Sequence, residues 1–373
     1  MTNILDYLAW RGDLSFAQAP FNEVDGAILS RVSYFPFHRI GLDEASSGSL
    51  GEAAEAFLAL PDIAEAVLFR DDYPLMKVLP ECSRFRDLEL LEYRNTFDTE
   101  NETQFCVITV RLEEERYFIS FRGTDNTLVG WKENFNMGFA APVPSQRLAR
   151  DYVNDLMEKR PGTLILGGHS KGGNLAAFAG AFCDEEKQAR IDSVWNYDGP
   201  GFEKRLLEHP GYDRMRRRIH TLVPQSSVVG MLLEHEEKFD VVHSERSSIF
   251  QHDIYSWNVE RDHFLHLETV TEGSRYLDAA VKEWIAHMDY GRREAFVDAL
   301  YTILRNTNAQ TLREMKAKPA AATMAMLRSF TEMDEETRKM MAGTLSALLR
   351  CAGDELTVWA REELAESLGA GES

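Results

Sequence analysis

Cysteine is scarce in this chain: four in 373 residues (Cys82, Cys106, Cys183 and Cys351), far apart and without a Cys-x-x-Cys. That excludes a disulfide framework and fits a reducing compartment. Cys106 and Cys183 lie in apolar contexts and read as small core residues. Positive charge is also scarce: 41 Lys and Arg stand against 61 Asp and Glu, a formal net charge of -20. A general nucleic-acid binder needs a basic face to neutralise phosphates, so nucleic acid is not an expected partner. The dense basic run Arg214-Met215-Arg216-Arg217-Arg218 reads as a solvated surface. No stretch approaches the roughly eighteen uninterrupted apolar residues of a membrane span. The start, MTNILDYLAWRGDLSF, has no basic n-region, apolar h-region or small-residue cleavage site. A soluble, cytoplasmic protein without integral membrane association is expected. A helical His-Glu-x-x-His and a Cys/His cluster are both missing, so neither metal nor cofactor is expected.

What is present builds a core. Hydrophobic residues make up 44% of the chain and aromatics 10%. Residues 104–112 and 116–121 read as two strands around the charged turn Glu113-Glu114-Glu115. Helical and strand-like stretches then alternate. Residues 146–159, 171–183, 202–207 and 228–235 read as helices, and 163–166, 191–197, 219–223 and 239–243 as strands. Such alternation predicts an α/β fold with a mostly parallel central sheet covered on both faces. Ligands of such sheets lie at the carboxyl ends of the strands. Residues 1–100 mix short helical signals, at 25–37 and 51–66, with loops. Beyond about residue 275 only amphipathic helical patterns remain. The expected organisation is an α/β domain over 1–285, with 1–100 as its helical and loop part, and a C-terminal helical extension over 286–373.

The sharpest motif is Gly168-His169-Ser170-Lys171-Gly172. It follows the apolar run Leu164-Ile165-Leu166 and opens the helical stretch Gly173-Asn174-Leu175-Ala176. This is the G-x-S-x-G nucleophile elbow, in which a serine occupies a strained strand-to-helix turn. Gly168 and Gly172 are the elbow glycines: side chains there would collide as strand and helix converge. The Lys171 backbone N–H faces the anion formed on attack, and its side chain is expected on the surface or near an anionic headgroup. A P-loop is excluded because no Gly-Lys-Ser/Thr occurs.

A serine nucleophile needs a base and an orienting acid, in the order Ser, Asp or Glu, His on this fold. Asp198 ends the strand before Gly199-Pro200-Gly201 and is the favoured acid. Asp253 adjoins the favoured histidine, and chain neighbours rarely face each other. His252, in the loop SIFQHDIYSW after the last strand, is the favoured base, with His243 the runner-up. "FRGT" ends the hairpin at Phe121 to Thr124, so Thr124 is a second oxyanion donor and Arg122 a brace for the loop. Leu128 to Pro144, carrying Phe135, Met137, Phe139 and Val143, is either a lid, a substrate wall or core.

"FRGT", "GHSKGGNLA" and Trp131 in "FRGTDNTLVGWKENF" resemble the class 3 lipases. The stretches "NILDYLAWRGDLSF", "PFNEVDGAILSRVSYFPF", "NYDGPGF", "VPQSSVVGMLL" and "QHDIYSW" resemble more closely a mainly bacterial, lipase-like α/β-hydrolase family whose biological function is uncharacterised. The resemblance implies an α/β-hydrolase fold with Ser170 as nucleophile, Thr124 and Lys171 at the oxyanion hole and His252 as base. It also marks a departure. Class 3 lipases keep the acid before two apolar residues after a later strand, where this chain has Ser227 before Val228-Val229. Either Asp198 has taken the role or the triad is incomplete.

The expected activity is therefore serine ester hydrolysis through an acyl-enzyme, on a small-molecule or lipid ester. An acyl-ligand-binding or protein-interaction module with a degenerate triad is the first alternative. An acyltransferase or thioesterase is the second.

Overall fold

The structure is a computed structural model that describes residues 2–43, 47–125, 127–138, 141–271, 274, 290–307, 319–343 and 346. The expected hairpin forms, as β3 (Thr103–Glu113) and β4 (Arg116–Phe121). Two strands precede it, β1 (Ser47–Ser49) and β2 (Glu89–Asp98). After it come β5 (Thr163–His169), β6 (Ile191–Tyr197), β7 (Ile219–Pro224) and β8 (Phe239–Val242). A small two-stranded ribbon of β9 (Val259–Glu260) and β10 (His263–Phe264) follows, then β11 (His266–Leu267). Among the described residues the main sheet has nine strands, ordered β1-β2-β3-β4-β5-β6-β7-β8-β11. Neighbours from β4 to β8 run parallel, and both flanks are antiparallel.

Among the described residues eleven α-helices accompany the sheet up to residue 215: α1 (Ile4–Arg11), α2 (Glu23–Val32), α3 (Leu50–Leu58), α4 (Ile63–Ala66), α5 (Asp72–Val78), α6 (Leu128–Asn136), α7 (Pro144–Lys159), α8 (Lys171–Phe182), α9 (Glu185–Gln188), α10 (Lys204–Leu207) and α11 (Pro210–Met215). Capping starts the first two. Asn3 and Asn22 accept backbone N–H groups of the first turn, and Asp6 and Asp25 return the bond. α2 lies on one face of the sheet, in a core with Ile108, Phe118 and Ile165. α7, α8 and α11 cover the other, against Val107, Ile119, Leu164 and Leu166. Consecutive residues 164, 165 and 166 alternate between these cores, as a strand buried on both faces requires. This is the expected α/β fold, a large sheet with a parallel centre covered by helices on both faces.

Three expectations are corrected. Residues 89–98 form a strand, not a loop. Its period-two pattern is broken by a bulge at Glu92, which has φ 47° and shifts the register between Leu91 and Arg94. Residues 228–235 are turns, not a helix. Gly230 N–H bonds to Asp198 and Ser227, Leu233 has φ 66°, and Glu234 pairs with Phe202 as an isolated bridge. The basic run is also more than a solvated surface. Arg214 donates to Gln188, and Arg218 to the carbonyls of Gln188 and Ile191.

Cys82, Cys106 and Cys183 are buried free thiols. Helices Tyr290–Arg305 and Pro319–Glu332, with 335–343, share a small core of Phe296, Val297, Ile303 and Met341. Much of the helical pattern expected beyond about residue 275, at 275–289, 308–318 and 347–373, lies outside the described residues. No helix among the described residues is long and apolar enough to cross a membrane.

Candidate active site

β5 ends at His169, and α8 starts at Lys171. Ser170 between them has φ 59° and ψ -133°, a left-handed conformation that a non-glycine residue holds only under surrounding constraint. Its backbone N–H is tied to Tyr197 O on β6 (2.9 Å). The elbow glycines answer to close approach. A methyl on Gly172 would lie 2.1 Å from Phe121 O, and one on Gly168 would lie 2.3 Å from Gly172 C. β4 delivers the "FRGT" segment to the same place, where a methyl on Gly123 would sit 3.2 Å from Ser170 Cβ. Arg122 reaches Asn95 and Asp125, so it braces the loop as expected. Thr124 Oγ1 is buried and has no hydrogen-bond partner among the described residues.

Asp198 leaves the carboxyl end of β6 with φ 52° and is fully buried. His252 ends a short 3-10 turn, Ser248–His252, and its side chain is 27% exposed. Asp198 Oδ2 lies 2.6 Å from His252 Nδ1. A carboxylate only accepts, so Nδ1 carries a proton, and Nε2 is the nitrogen that holds the lone pair in the neutral ring. The other oxygen, Oδ1, accepts from the Ser227 hydroxyl and from Gly230 N–H at 3.1 Å. The serine at the class 3 acid position thus supports the carboxylate arriving from the neighbouring strand. The other candidates are engaged elsewhere. His243 Nδ1 pairs with Asn258 Oδ1, and Asp253 pairs with Arg246 and the Tyr255 N–H.

The sequence reading did not single out His169, Tyr34 or Glu133. His169 Nε2 donates to the His252 carbonyl at 2.7 Å, and the two rings sit 4.5 Å apart. Burial, then the neighbouring His252 and Arg31, holds the His169 pKa well below the usual 6.5, so it is neutral. Tyr34 accepts from Gly123 N–H (3.1 Å) and donates toward His169, linking the "FRGT" loop through His169 to the His252 backbone. One signal was available: Tyr34 lies in the "SRVSYFPF" stretch that carried the family resemblance.

The Lys171 side chain corrects its expectation. It is not at the surface but fully buried, donating to Gln104 O (2.6 Å), Gln104 Oε1 (3.0 Å) and Glu133 Oε2 (2.9 Å). Helix α6 therefore stands beside the elbow. Of the apolar residues proposed for this segment, Met137 and Val143 are core, Phe135 is exposed and Phe139 lies outside the described residues.

Behind Asp198, His235 Nε2 lies 2.7 Å from Gly230 O and Nδ1 2.8 Å from Glu237 Oε1. Glu237 also accepts from Tyr212 and Thr221. Burial pushes the Glu237 carboxyl up, but His235 and these hydroxyls outweigh it and bring the pKa from 4.5 down to about 2. The depressed value means that its stabilisation is complete above pH 4.5 and is lost as pH falls toward 2. The wild type should lose about 3 kcal/mol more over that interval than Glu237→Gln does. Denaturant titrations of both proteins at pH 5 and near pH 2 check this. Among the described residues, no group of three or more His, Cys, Asp or Glu is placed to hold a metal.

Residues 79–302, more than half of the chain, match the Mbeg1-like family. The chain belongs to the Mbeg1-like family. No curated protein is significantly similar. Three solved structures resemble parts of this Mbeg1-like chain. The Rhizomucor miehei lipase in its propeptide complex is 14% identical, with a TM-score of 0.38, over 58% of this chain and 66% of that one. A fungal lipase–inhibitor complex is 12% identical, with a TM-score of 0.38, over 59% and 78%. M37 lipase is 16% identical, with a TM-score of 0.34, over 57% and 69%. The chain thus spans just under two thirds of the Rhizomucor miehei lipase chain.

Proposed function

We propose that this protein is a serine ester hydrolase. The observation that carries the reading is the Asp198–His252 hydrogen bond at the same sheet edge as the Ser170 elbow. His252 Nε2 takes the Ser170 proton as Oγ attacks the ester carbonyl. Negative charge develops on the carbonyl oxygen, and the backbone N–H groups of Lys171 and Thr124 receive it. The buried, unpartnered Thr124 hydroxyl is a further donor for that oxygen. The tetrahedral intermediate collapses, the alcohol leaves with the proton from His252, and Ser170 carries the acyl group. Water, deprotonated by His252, then attacks the acyl-enzyme. The free acid departs and the proton returns to Ser170.

Asp198 holds His252 in the tautomer this cycle needs and stabilises the imidazolium that forms. The Ser227 hydroxyl supports Asp198, which favours a complete triad over a degenerate one. The substrate is an acyl ester, small-molecule or lipid.

A fluorophosphonate probe should label the wild type at neutral pH and leave Ser170→Ala unlabelled, with both proteins melting at similar temperatures. A short-chain p-nitrophenyl ester should be hydrolysed by the first and not the second. An unlabelled wild type rejects the enzyme reading, and labelling that survives Ser170→Ala moves the nucleophile elsewhere.

A further inference from the structure

The lysine after the nucleophile does a second job. Its amide belongs to α8, while its ammonium, with no exposed surface, reaches across to α6. There Glu133, equally buried, gathers three donors. Oε2 accepts from Lys171 Nζ (2.9 Å) and Gln104 N–H (3.1 Å), and Oε1 from Ser145 N–H (2.8 Å). One carboxylate thus joins the elbow, β3 and the start of α7. The next residue outward, Lys132, pins the other side of the helix to Glu102 (2.5 Å) and to Asp298 of the C-terminal helix Tyr290–Arg305 (2.8 Å). The helix entrance is fixed as well. Thr127 Oγ1 caps Gly130 N–H, Asp125 accepts from Thr127, and Arg122 pairs with Asp125.

The charge pattern argues against a helix that rolls away. A lid that opens turns a buried apolar face outward. Here the two aromatic rings of α6, Trp131 and Phe135, are already 40% and 42% exposed, and a buried charge faces inward. Moving α6 would strand the Lys171 ammonium beside the reacting serine, and an uncompensated buried charge is strongly unfavourable.

We propose that α6 is a fixed wall, locked by the Lys171–Glu133 pair, and that the site accepts monomeric esters without opening at a lipid–water interface. Lys171 and Glu133 are then positioning residues that hold the elbow amide and the Thr124 loop in register. The substrate half of this proposal rests on the hydrolase reading.

Two measurements test it. The first is hydrogen exchange of residues 128–136 in the wild type, with and without detergent micelles. Protection should be unchanged. Loss of protection in micelles overturns the fixed wall, whatever the activity. The second is the rate on a p-nitrophenyl ester followed through its critical micelle concentration. Saturation should begin below that concentration with no step at it, and an abrupt rise there overturns the substrate assignment. Absence of any Ser170-dependent turnover rejects the hydrolase reading and the substrate half with it, while the exchange result still decides the wall.

Glu133→Gln and Lys171→Met should each lower kcat about 10²-fold with KM little changed, because loosening misplaces the oxyanion donors rather than the binding surface. Should either single variant fail to fold, Lys171→Met with Glu133→Gln removes both buried charges while keeping an amide oxygen for the backbone N–H groups, and is the variant to assay. An unchanged kcat in the folded variants overturns the positioning role.

Discussion

Asp198→Asn lowers kcat on a short-chain ester by about 10⁴-fold and leaves the melting temperature close to that of the wild type. The loss comes from the tautomer. An asparagine oriented with its amide toward His252 Nδ1 donates where the carboxylate accepted, so Nε2 takes the proton and no longer serves as base. Asp198 is fully buried and its two oxygens have separate tasks, one toward His252 and one toward Ser227 and Gly230. Ser227→Ala removes only the second support, and a smaller loss, roughly tenfold, is expected. Steady-state kinetics of both variants, alongside circular dichroism, checks the ranking. A kcat for Asp198→Asn within a few-fold of wild type would falsify its role as the orienting acid.

The second large effect is on stability. Arg84 and Asp25 form an ion pair with no exposed surface on either side chain. Arg84 Nε and Nη2 hold both carboxylate oxygens, while the remaining donors reach the carbonyls of Leu14, Ala19 and Pro20. Tyr7 and the Asn22 N–H complete the carboxylate's shell. One guanidinium thereby fastens residues 14–25, and with them the start of α2, which covers one face of the sheet. Arg84→Met leaves Asp25 buried without its cation and three carbonyls without donors, a cost of about 3–5 kcal/mol. Arg84→Lys should recover little of it, because one ammonium cannot reproduce the planar fork. Urea denaturation midpoints of the three proteins measure this directly. A shift of Arg84→Met by less than about 1 kcal/mol, the scale of a surface pair, contradicts the assignment.

The parallel half of the sheet was legible in the sequence because strand and helix patterns alternate there, and because Leu164-Ile165-Leu166 is an apolar run buried on both faces. β2 was not legible, because the Glu92 bulge and the polar residues around it hide the alternation. Turns at 228–235 were mistaken for a helix because apolar residues there match a helical period. What decides the conformation is a hydrogen bond from Gly230 to Asp198, distant in the chain. The site follows the same division. Gly168, Ser170 and Gly172 are neighbours in sequence, so local sterics spell them out. Asp198 was reached by its strand-end position, and His252 by its loop after the last strand together with the family resemblance. Lys171 was read from its amide, and nothing local revealed that its ammonium lies under α6, since Glu133 comes from another element.

Ser227 has one more consequence. Its hydroxyl holds one oxygen of the Asp198 carboxylate while the other oxygen faces His252, and Asp198 and Ser227 follow adjacent strands. Placing aspartate at both positions would set two carboxyl groups at hydrogen-bonding distance, where only one can ionise. The neutral one would donate a proton to its neighbour, as the serine hydroxyl does now. A second acid at position 227 would therefore keep the present wiring, with the Asp198 carboxyl still bonded to His252.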